Sequence, residues 1–403
     1  MNEAANFCRG KCLKDDLKPV DSIVNRLPYT PTGKRLDRMS LPLDAKMNDS
    51  RSQLDAHSFF GTLQSRASSL YYKQIKQRPL IISRSTFAGH GKYASHWLGD
   101  NHAQVQDMTI SVVSSMKFNI FGVPLVGADI CGFSGNQTTP ELCARWHQIG
   151  AFQPFSRNHR DCKYSQEPWR FNETYFDNKT KTSYMDIMKQ AIQRKYHLLR
   201  YYYTQMSQLS FGNNTQSTVY KPLFFEFPED PGAYTDIPNN VMIGQALKTS
   251  VNAVNLTQTE TDFYFPAGTW CSLFEPVGEC ITTEIGQTWP LPSTLKDAFV
   301  HIREGFVVPM QDATKLKANT TVDLQNSPVD LHILGQYRVP GIISWSAEGL
   351  YVNDDGLTVD TQGNVNQYYM KATYTQQQSG QVETITVQFL QRMIAFNYLN
   401  ATT

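Results

Sequence analysis

The sequence has almost no net charge and few charged side chains of either sign. Its 37 basic and 36 acidic residues leave a formal charge of +1, and charged residues make up 18% of the 403 positions. Without an excess of positive charge, nucleic acid and anionic membrane surfaces are unfavourable as main partners. No run approaches the ~18 consecutive apolar residues that a membrane-spanning helix needs. We therefore expect neither a nucleic-acid partner nor a transmembrane segment in this chain.

Sequence motifs of several common active sites are also missing. There is no C-x-x-C pair, and no histidines lie between the cysteines at the spacing of zinc ligands. No G-x-S-x-G motif of serine hydrolases occurs, and Gly132–Gly135 imitates it only weakly. The loop Gly89–Gly91 is too short to bind phosphate and lacks a following Lys-Ser/Thr. The sequence thus predicts no metal and no cofactor, and we expect His90 and His102 to be surface or loop histidines.

Cysteines and glycosylation sequons, in contrast, favour an oxidising compartment. The seven cysteines form three close pairs with Cys162 left over: Cys8 with Cys12, Cys131 with Cys143, and Cys271 with Cys280. Asn-x-Ser/Thr sequons occur about twice as often as chance predicts, although an Asn- and Thr-rich chain is an alternative explanation. They lie at Asn48, Asn136, Asn172, Asn178, Asn213, Asn255, Asn319 and Asn400. No signal peptide is visible at Met1, so we expect the natural N-terminus to be missing.

Short apolar segments alternate with helical periodicity over roughly the first 240 residues. Strands are predicted within 79–84, 123–129, 152–159 and 222–227. Helices are predicted over 60–77, 105–116, 140–150 and 183–209. This alternation is typical of a parallel βα barrel or sheet, and four units make half of an eight-fold barrel. The fold class is therefore α/β at the start of the chain.

The sequence changes character after about residue 240. Helical periodicity fades, threonine, valine and glutamine become frequent, and turn sequences such as Pro266-Ala267-Gly268 appear. Residues 322–386 look like a series of short alternating strands. We predict one or two β-sandwich modules here, with domains over 1–240, 241–312 and 313–403, the last possibly incomplete.

Polar residues follow the predicted strands at their carboxyl ends, where parallel barrels keep their active sites. In chain order they are Arg84, Asp100, Asp129, Arg157 and His159, with Trp97 and Phe133 beside them. Carboxylates and guanidinium groups form charge-assisted hydrogen bonds to hydroxyls, and an aromatic ring covers the apolar face of a sugar. A carboxylic acid could also protonate a glycosidic oxygen. The pattern favours a sugar site, and the alternative for each residue alone is a structural ion pair or strand cap.

Several of these segments resemble glycoside hydrolase family 31, the α-glucosidases, in the acid α-glucosidase, maltase and sucrase-isomaltase branch. The segments occur in family order over about residues 1–356: RSTFAG at 84–89, HWLGDN at 96–101, GADICGF at 127–133, PFSRNH at 154–159, FPAGTW at 265–270 and HIR at 301–303. The resemblance implies the second half of a (β/α)₈ barrel followed by one or two all-β domains. It also implies a lysosomal or secreted protein whose partner is an oligosaccharide.

The same resemblance implies a role for each matching residue. Asp100 is similar to the general acid/base. Arg84, Asp129 and His159 look like the residues that hold the non-reducing glucose, and Trp97 and Phe133 line that subsite. A Cys131–Cys143 disulfide resembles one of the family, and the Cys8–Cys12 spacing is similar to that of plant and fungal members. The departures from the family pattern are His90, Arg160 after His159, and Glu304 in a usually Gly-Gly turn.

The family nucleophile is the aspartate of a W-x-D-M-N-E run, and this chain begins at the methionine of that run. The resemblance implies retaining hydrolysis of terminal α-linked glucose from maltose-type oligosaccharides by the full-length enzyme, with this fragment inactive by itself. A non-catalytic carbohydrate-binding protein on the same scaffold is the alternative. Within the family, α-xylosidase and α-glucan lyase stay open, and endoplasmic-reticulum glucosidase II fits the N-terminal residues less well.

Overall fold

The structure is a computed structural model. It describes residues 2–4, 40–161, 163–171, 181–211, 218–337, 344–358, 366–376 and 383–393. The chain forms two compact units, Met1–Trp97 and Leu98–Thr403, and each is considered by itself below. None of the helices in these ranges combines the length and apolar character needed to cross a membrane.

The first unit contains two helices and a pair of parallel strands. They are α1 (Gln53–Ala56), α2 (Phe60–Gln74), β1 (Ile82–Ser83) and β2 (Ser95–Trp97). β1 and β2 pair in parallel, with Ile82 opposite Ser95. The predicted helix over 60–77 and the predicted strand within 79–84 are thus both present, although the strand has only two residues.

The second unit begins with three helices and three short strands. They are α3 (Val105–Ile120), β3 (Val126–Gly127), β4 (Asp129–Ile130), α4 (Pro140–Gly150), β5 (Arg157–Asn158) and α5 (Tyr184–Phe211). β4 and β5 are parallel, as a βα pattern requires. α4 begins where the sequence predicts because Thr139 caps it: the Thr139 side chain accepts a hydrogen bond from the Leu142 amide, and Pro140 needs no amide partner.

The core of this part of the second unit is built from one face of each helix. Met108, Val112 and Met116, which lie 4 residues apart on α3, are all buried. They belong to one apolar cluster with Trp146 of α4 and Met188 of α5. The helical periodicity of α3 therefore identified its buried face correctly.

Antiparallel sheets follow. β6 (Tyr220–Pro222), β7 (Asn240–Ile243), β8 (Leu247–Ser250), β10 (Gly268–Ser272), β11 (Cys280–Thr283) and β13 (Phe299–Arg303) form one sheet in the order β11-β10-β13-β8-β7-β6. β9 (Glu260–Phe265) and β12 (Gln287–Pro292) form a second sheet. Phe263 and Phe265 of the second sheet share a buried cluster with Met242 and Trp270 of the first, so the two sheets pack face to face.

The last described part of the chain contains a mixed β-sheet, with one parallel pair among antiparallel ones, and a short helix. Its elements are β14 (Phe306–Met310), α6 (Thr321–Gln325), β15 (Asp330–Leu334), β16 (Gln336–Tyr337), β17 (Ser344–Asn353), β18 (Asn366–Gln376) and β19 (Glu383–Met393). The sheet order is β15-β14-β17-β18-β19, with β16 beside β17.

Two expectations about strands were wrong. The strand predicted over 222–227 ends at Pro222, because Leu223–Phe225 turn into a 3₁₀ helix. The segments within 322–386 are not all short, since β17 has 10 residues and β18 has 11. A segment rich in tyrosine, threonine and glutamine contains no turn signal. It can therefore pair along the whole length of a long hairpin. The domain boundaries at 240 and 312 stay predictions.

Three buried histidines make stability depend on pH. Burial lowers the pKa of His96 and of His147 to about 4 and that of His301 to about 3. Between pH 6.5 and 4 the unfolded chain therefore binds protons that the folded chain does not, so stability falls as the pH falls. We expect each histidine to cost about 2 kcal/mol on acidification from pH 7 to pH 5, measured by thermal unfolding at both values.

The matched variants for this prediction are His147→Gln and His102→Gln. His102 has an exposed side chain with 62% of its surface accessible, so His102→Gln is the control for replacing an imidazole outside the core. His147→Gln should flatten the pH dependence of the unfolding temperature, whatever its effect at pH 7. An unaltered pH dependence in His147→Gln would contradict the assignment.

Candidate active site

A buried carboxylate lies at the end of β4. Asp129 has no exposed surface, and its Oδ1 accepts a hydrogen bond of 2.8 Å from Nη2 of Arg157. The parallel register of β4 and β5 places Asp129 opposite Arg157. A charge-assisted pair of this kind holds the carboxylate in one orientation, while the Arg157 side chain keeps 37% of its surface exposed. The pair thus connects the buried Asp129 carboxylate to an arginine side chain that a ligand can reach.

Asn101 organises the loop beside this pair. Its side-chain oxygen accepts a hydrogen bond of 3.4 Å from the Asp129 amide, and its carbonyl oxygen accepts one of 2.7 Å from the Phe133 amide. The Ser134 hydroxyl donates to the carbonyl oxygen of Asp100 over 3.4 Å, and the Asp100 side chain is exposed. The structure therefore brings Asp100 and Asp129 into one neighbourhood through the backbone of two loops.

An aromatic pair borders the same neighbourhood. The rings of Phe133 and His159 are stacked, with centroids 5.0 Å apart and planes inclined by 26°. His159 is half-buried and lies two residues after Arg157 on the chain that leaves β5. The stacked pair presents a flat surface next to polar groups, which is the combination that binds a sugar ring.

The turn that carries Phe133 depends on two unusual backbone conformations. Cys131 has φ +74° and Gly132 has φ +86°. A Cβ atom on Gly132 would lie 2.5 Å from the Cα of Ala103, so no other residue fits there. The Cys131–Cys143 disulfide joins this turn to α4. This disulfide was implied by the family resemblance, and the structure contains it together with Cys271–Cys280.

Gln166 bonds to the backbone on both sides of the site, and no sequence motif indicated it. Its Nε2 lies 3.1 Å from the Ile130 carbonyl oxygen and 3.2 Å from that of His159. Gln166 is 2% exposed and thereby links the ends of β4 and β5. Asn101 was also missed as a functional candidate, although its position directly after Asp100 could have indicated it.

One group of potential metal ligands lies nearby. Within the described ranges, Cys131, Cys143 and His147 are the set of three whose ligand atoms lie within 4.8 Å of one another. Both sulfur atoms are already joined in the disulfide, so neither can act as a thiolate ligand. His147 Nδ1 instead lies 2.9 Å from the Cys143 carbonyl oxygen, which is a structural contact.

Arg84 and Trp97 lie in the first unit. The Arg84 guanidinium carbon is 5.4 Å from the centre of the Trp97 ring, and Trp97 is 8% exposed. Arg84 Nε and Nη2 donate to the two carboxylate oxygens of Glu3 over 2.6 and 2.7 Å. This fork lowers the pKa of Glu3. Convergence of Arg84 with Asp100, Asp129 and His159 around one sugar stays a prediction.

Two of the departures from the family pattern have structural roles. His90 is buried rather than at the surface, with its ring nitrogens 3.2 Å from the Thr62 hydroxyl and 2.9 Å from the Ser83 hydroxyl. Arg160 Nη2 donates to the carbonyl oxygens of Gly135 and Asn136 over 2.9 and 3.1 Å. Arg160 therefore fixes the loop after Phe133.

The remaining predicted sites lie partly within and partly outside the described residues. Cys8, Cys12, Asn172, Asn178, Asn213 and Asn400 lie outside the described residues. Asn48, Asn136 and Asn319 are exposed, whereas Asn255 is half-buried and accepts a hydrogen bond of 2.8 Å from the Thr257 hydroxyl of its own sequon. Glycosylation at all eight sequons stays a prediction.

Comparison with known families identifies two domains in the chain. Residues 1–205 match the family model described as the TIM-barrel domain of glycosyl hydrolases family 31. Residues 216–308 match the model described as the C-terminal domain of glycosyl hydrolase family 31. The fold class predicted from the sequence, a barrel segment followed by β domains, is therefore confirmed.

Two relatives that align with most of this chain are lysosomal alpha-glucosidases. The chain is 38% identical to lysosomal alpha-glucosidase of Bos taurus, in an alignment that covers 88% of this chain and 38% of the relative. It is 36% identical to that of Rattus norvegicus, covering 83% of this chain and 34% of the relative. The chain thus spans about a third of the length of these relatives. A crystal structure of the glucosidase II alpha subunit has a TM-score of 0.70 at 22% identity, covering 86% of this chain and 36% of that one, which shows the shared fold.

Proposed function

The chain belongs to glycosyl hydrolase family 31, and from that premise we propose that it supplies the acid/base and sugar-binding residues of an α-glucosidase. The reaction is removal of terminal non-reducing α-linked glucose from maltose-type oligosaccharides. Asp100 is the general acid/base, Asp129, His159 and Arg84 bind the glucose, and Trp97 and Phe133 line the subsite.

One observation carries this proposal. In the second unit, a fully buried carboxylate held by an arginine lies beside a stacked aromatic pair and an exposed aspartate. Hydrolysis of a glycoside needs a carboxyl group that exchanges protons with the leaving oxygen, and Asp100 is accessible for this role. Binding of glucose needs fixed acceptors for hydroxyl groups, and the Asp129–Arg157 pair provides one. The Phe133–His159 pair covers the apolar face of the ring.

The mechanism we propose is retaining. A second carboxylate, about 5–5.5 Å from the Asp100 carboxyl group, attacks the anomeric carbon. At the same time Asp100 protonates the glycosidic oxygen. A covalent glycosyl-enzyme results, and Asp100 then removes a proton from the water that hydrolyses it. Each turnover consumes one water and returns both carboxyl groups to their starting protonation states.

The isolated polypeptide tests the need for the second carboxylate. The 403 residues contain no W-x-D-M sequence, which in the family carries the nucleophile. We expect the purified 403-residue chain to give no measurable turnover of an aryl α-glucoside, because the covalent step has no attacking group. The positive control is this chain preceded by the N-terminal part of a family 31 α-glucosidase that supplies the W-x-D segment, which we call the extended enzyme. Turnover that copurifies with the 403-residue chain and disappears in Asp100→Asn would contradict the proposed mechanism.

We also propose a lysosomal or secreted location. The two disulfides are typical of an oxidising compartment. The named lysosomal relatives and the exposed sequons at Asn48, Asn136 and Asn319 support the same location.

A further inference from the structure

A polar groove lies in the second unit, away from the residues of the candidate active site. It consists of two adjoining cavities of about 300 and 440 Å³ that share Gln245, Phe306 and Glu348 as a common wall. Ligand pockets usually measure roughly 300–1,000 Å³, so each cavity is large enough for a small ligand. We call the two cavities together the polar groove.

Rigid elements form the walls of the polar groove. Phe306 begins β14 and lies opposite Glu348 of β17 in a parallel pair. The Glu348 amide donates to the Gly305 carbonyl oxygen over 2.9 Å, which fixes the turn between β13 and β14 against β17. α5 contributes Gln205 and Gln208. Preformed walls of this kind reduce the entropy that binding must overcome.

The glutamine side chains of the groove are uncommitted. In the part of the chain that the structure describes, no hydrogen bond is formed by the side-chain amides of Gln205, Gln208, Gln245 and Gln336. Glutamines that serve the fold of this protein differ in this respect. Gln153 Nε2 donates to the Ser111 hydroxyl over 3.0 Å, and Gln311 Nε2 donates to the Ser327 carbonyl oxygen over 2.9 Å. Four free amides around one groove offer both donors and acceptors to a ligand.

The charged side chains of the groove make two classes of ligand unfavourable, anions and metal ions. Arg303 Nη1 lies 3.9 Å from a carboxylate oxygen of Glu226, and the carboxylates of Glu304 and Glu348 also line the groove, so an anion would be repelled. The Arg303 guanidinium already lies 4.4 Å from the centre of the Phe227 ring. A metal ion is also unfavourable, because the described residues place no third His, Cys, Asp or Glu ligand beside this pair of carboxylates.

From these observations we infer that the polar groove is a second carbohydrate-binding site, which takes a neutral α-glucan oligosaccharide. Amides and carboxylates bind hydroxyl groups, and Phe306 and Tyr369 supply the apolar surfaces that sugar rings cover. The choice of α-glucan rests on the proposed function, whereas the choice of a neutral sugar rests on the groove. A second site on the same chain raises the effective concentration of a long substrate near the first.

Two groove variants, one matched control and one active-site variant test this inference in the 403-residue chain. The double variant Gln205→Met and Gln336→Met keeps side-chain volume but removes the hydrogen-bonding groups. Ala267→Trp introduces a large ring from an exposed position in the wall and blocks the groove without a change in polar groups. Gln287→Met, on the exposed surface of β12, is the matched control for the glutamine substitutions. Asp129→Asn removes the charge at the candidate active site.

Binding of maltotriose and maltoheptaose is measured by calorimetry, with hydrogen exchange of segments 244–247 and 303–306 to locate the ligand. We expect the double glutamine variant to weaken binding about tenfold, as the loss of two hydrogen bonds predicts, and Ala267→Trp to weaken it at least as much by filling the groove, while Gln287→Met retains it. Thermal unfolding confirms that each variant folds.

The outcomes separate this inference from the proposed function. If Asp129→Asn abolishes binding and both groove variants bind normally, the groove inference is overturned and the active-site proposal stands. If the groove variants lose binding but Asp100→Asn leaves the activity of the extended enzyme intact, the groove inference stands and the proposed function fails. Absence of oligosaccharide binding by the parent chain also overturns the groove inference.

Discussion

Asp100→Asn in the extended enzyme is expected to lower the rate of maltose hydrolysis by about 10³-fold, the size of effect that a positioned general acid contributes. Asparagine has nearly the shape of aspartate but cannot give a proton to the glycosidic oxygen or take one from water. Asp100 is exposed, and the Ser134 hydroxyl bonds to its backbone carbonyl oxygen, which the substitution keeps. We therefore expect no large change in the unfolding temperature.

The leaving group distinguishes loss of acid catalysis from general damage. The strongly acidic phenol of an activated aryl α-glucoside leaves without protonation. The rate of the first step should therefore fall much less for this substrate than for maltose. Asp262→Asn, which removes an exposed carboxylate on β9, is the control and should retain full activity. An equal loss for both substrates would contradict the acid/base role of Asp100.

Asp129→Asn is expected to lower kcat/KM about 100-fold, because hydrogen bonds to a charged group contribute roughly 1.5–3 kcal/mol. The substitution removes the charge that orients Arg157 and the acceptor that we assign to a glucose hydroxyl. It also leaves a buried amide facing a guanidinium group, so the unfolding temperature should fall by several degrees, about 1 kcal/mol or more.

Arg157→Lys separates the two effects of the Asp129 substitution. Lysine keeps the positive charge beside Asp129 but loses the planar geometry of the guanidinium group. If Asp129 binds the sugar, Arg157→Lys should retain much more activity than Asp129→Asn at a comparable unfolding temperature. If the pair is only structural, the two variants should lose activity in proportion to stability. Asp262→Asn again serves as the control.

The helices and their buried faces could be predicted because they depend on local information. The spacing of Met108, Val112 and Met116 and the Thr139-Pro140 start of α4 are both readable from the chain itself. The barrel strands have only two or three residues each, so their hydrophobic pattern located them without fixing their ends. The 3₁₀ turn after Pro222 ended a strand that the apolar run 222–227 predicted, because tertiary packing decides the conformation of short apolar runs.

The sequence by itself determined the family, the βα-to-β architecture and the order of Asp100, Asp129 and His159 along the chain, since linear motifs and periodicity carry that information. Only the tertiary structure decided which groups touch. It paired Asp129 with Arg157, placed Asn101 between two loops, buried His90 and left the amides of the polar groove uncommitted. Hydrogen-bond partners far apart in sequence depend on the register and packing of separate elements, which local patterns do not encode.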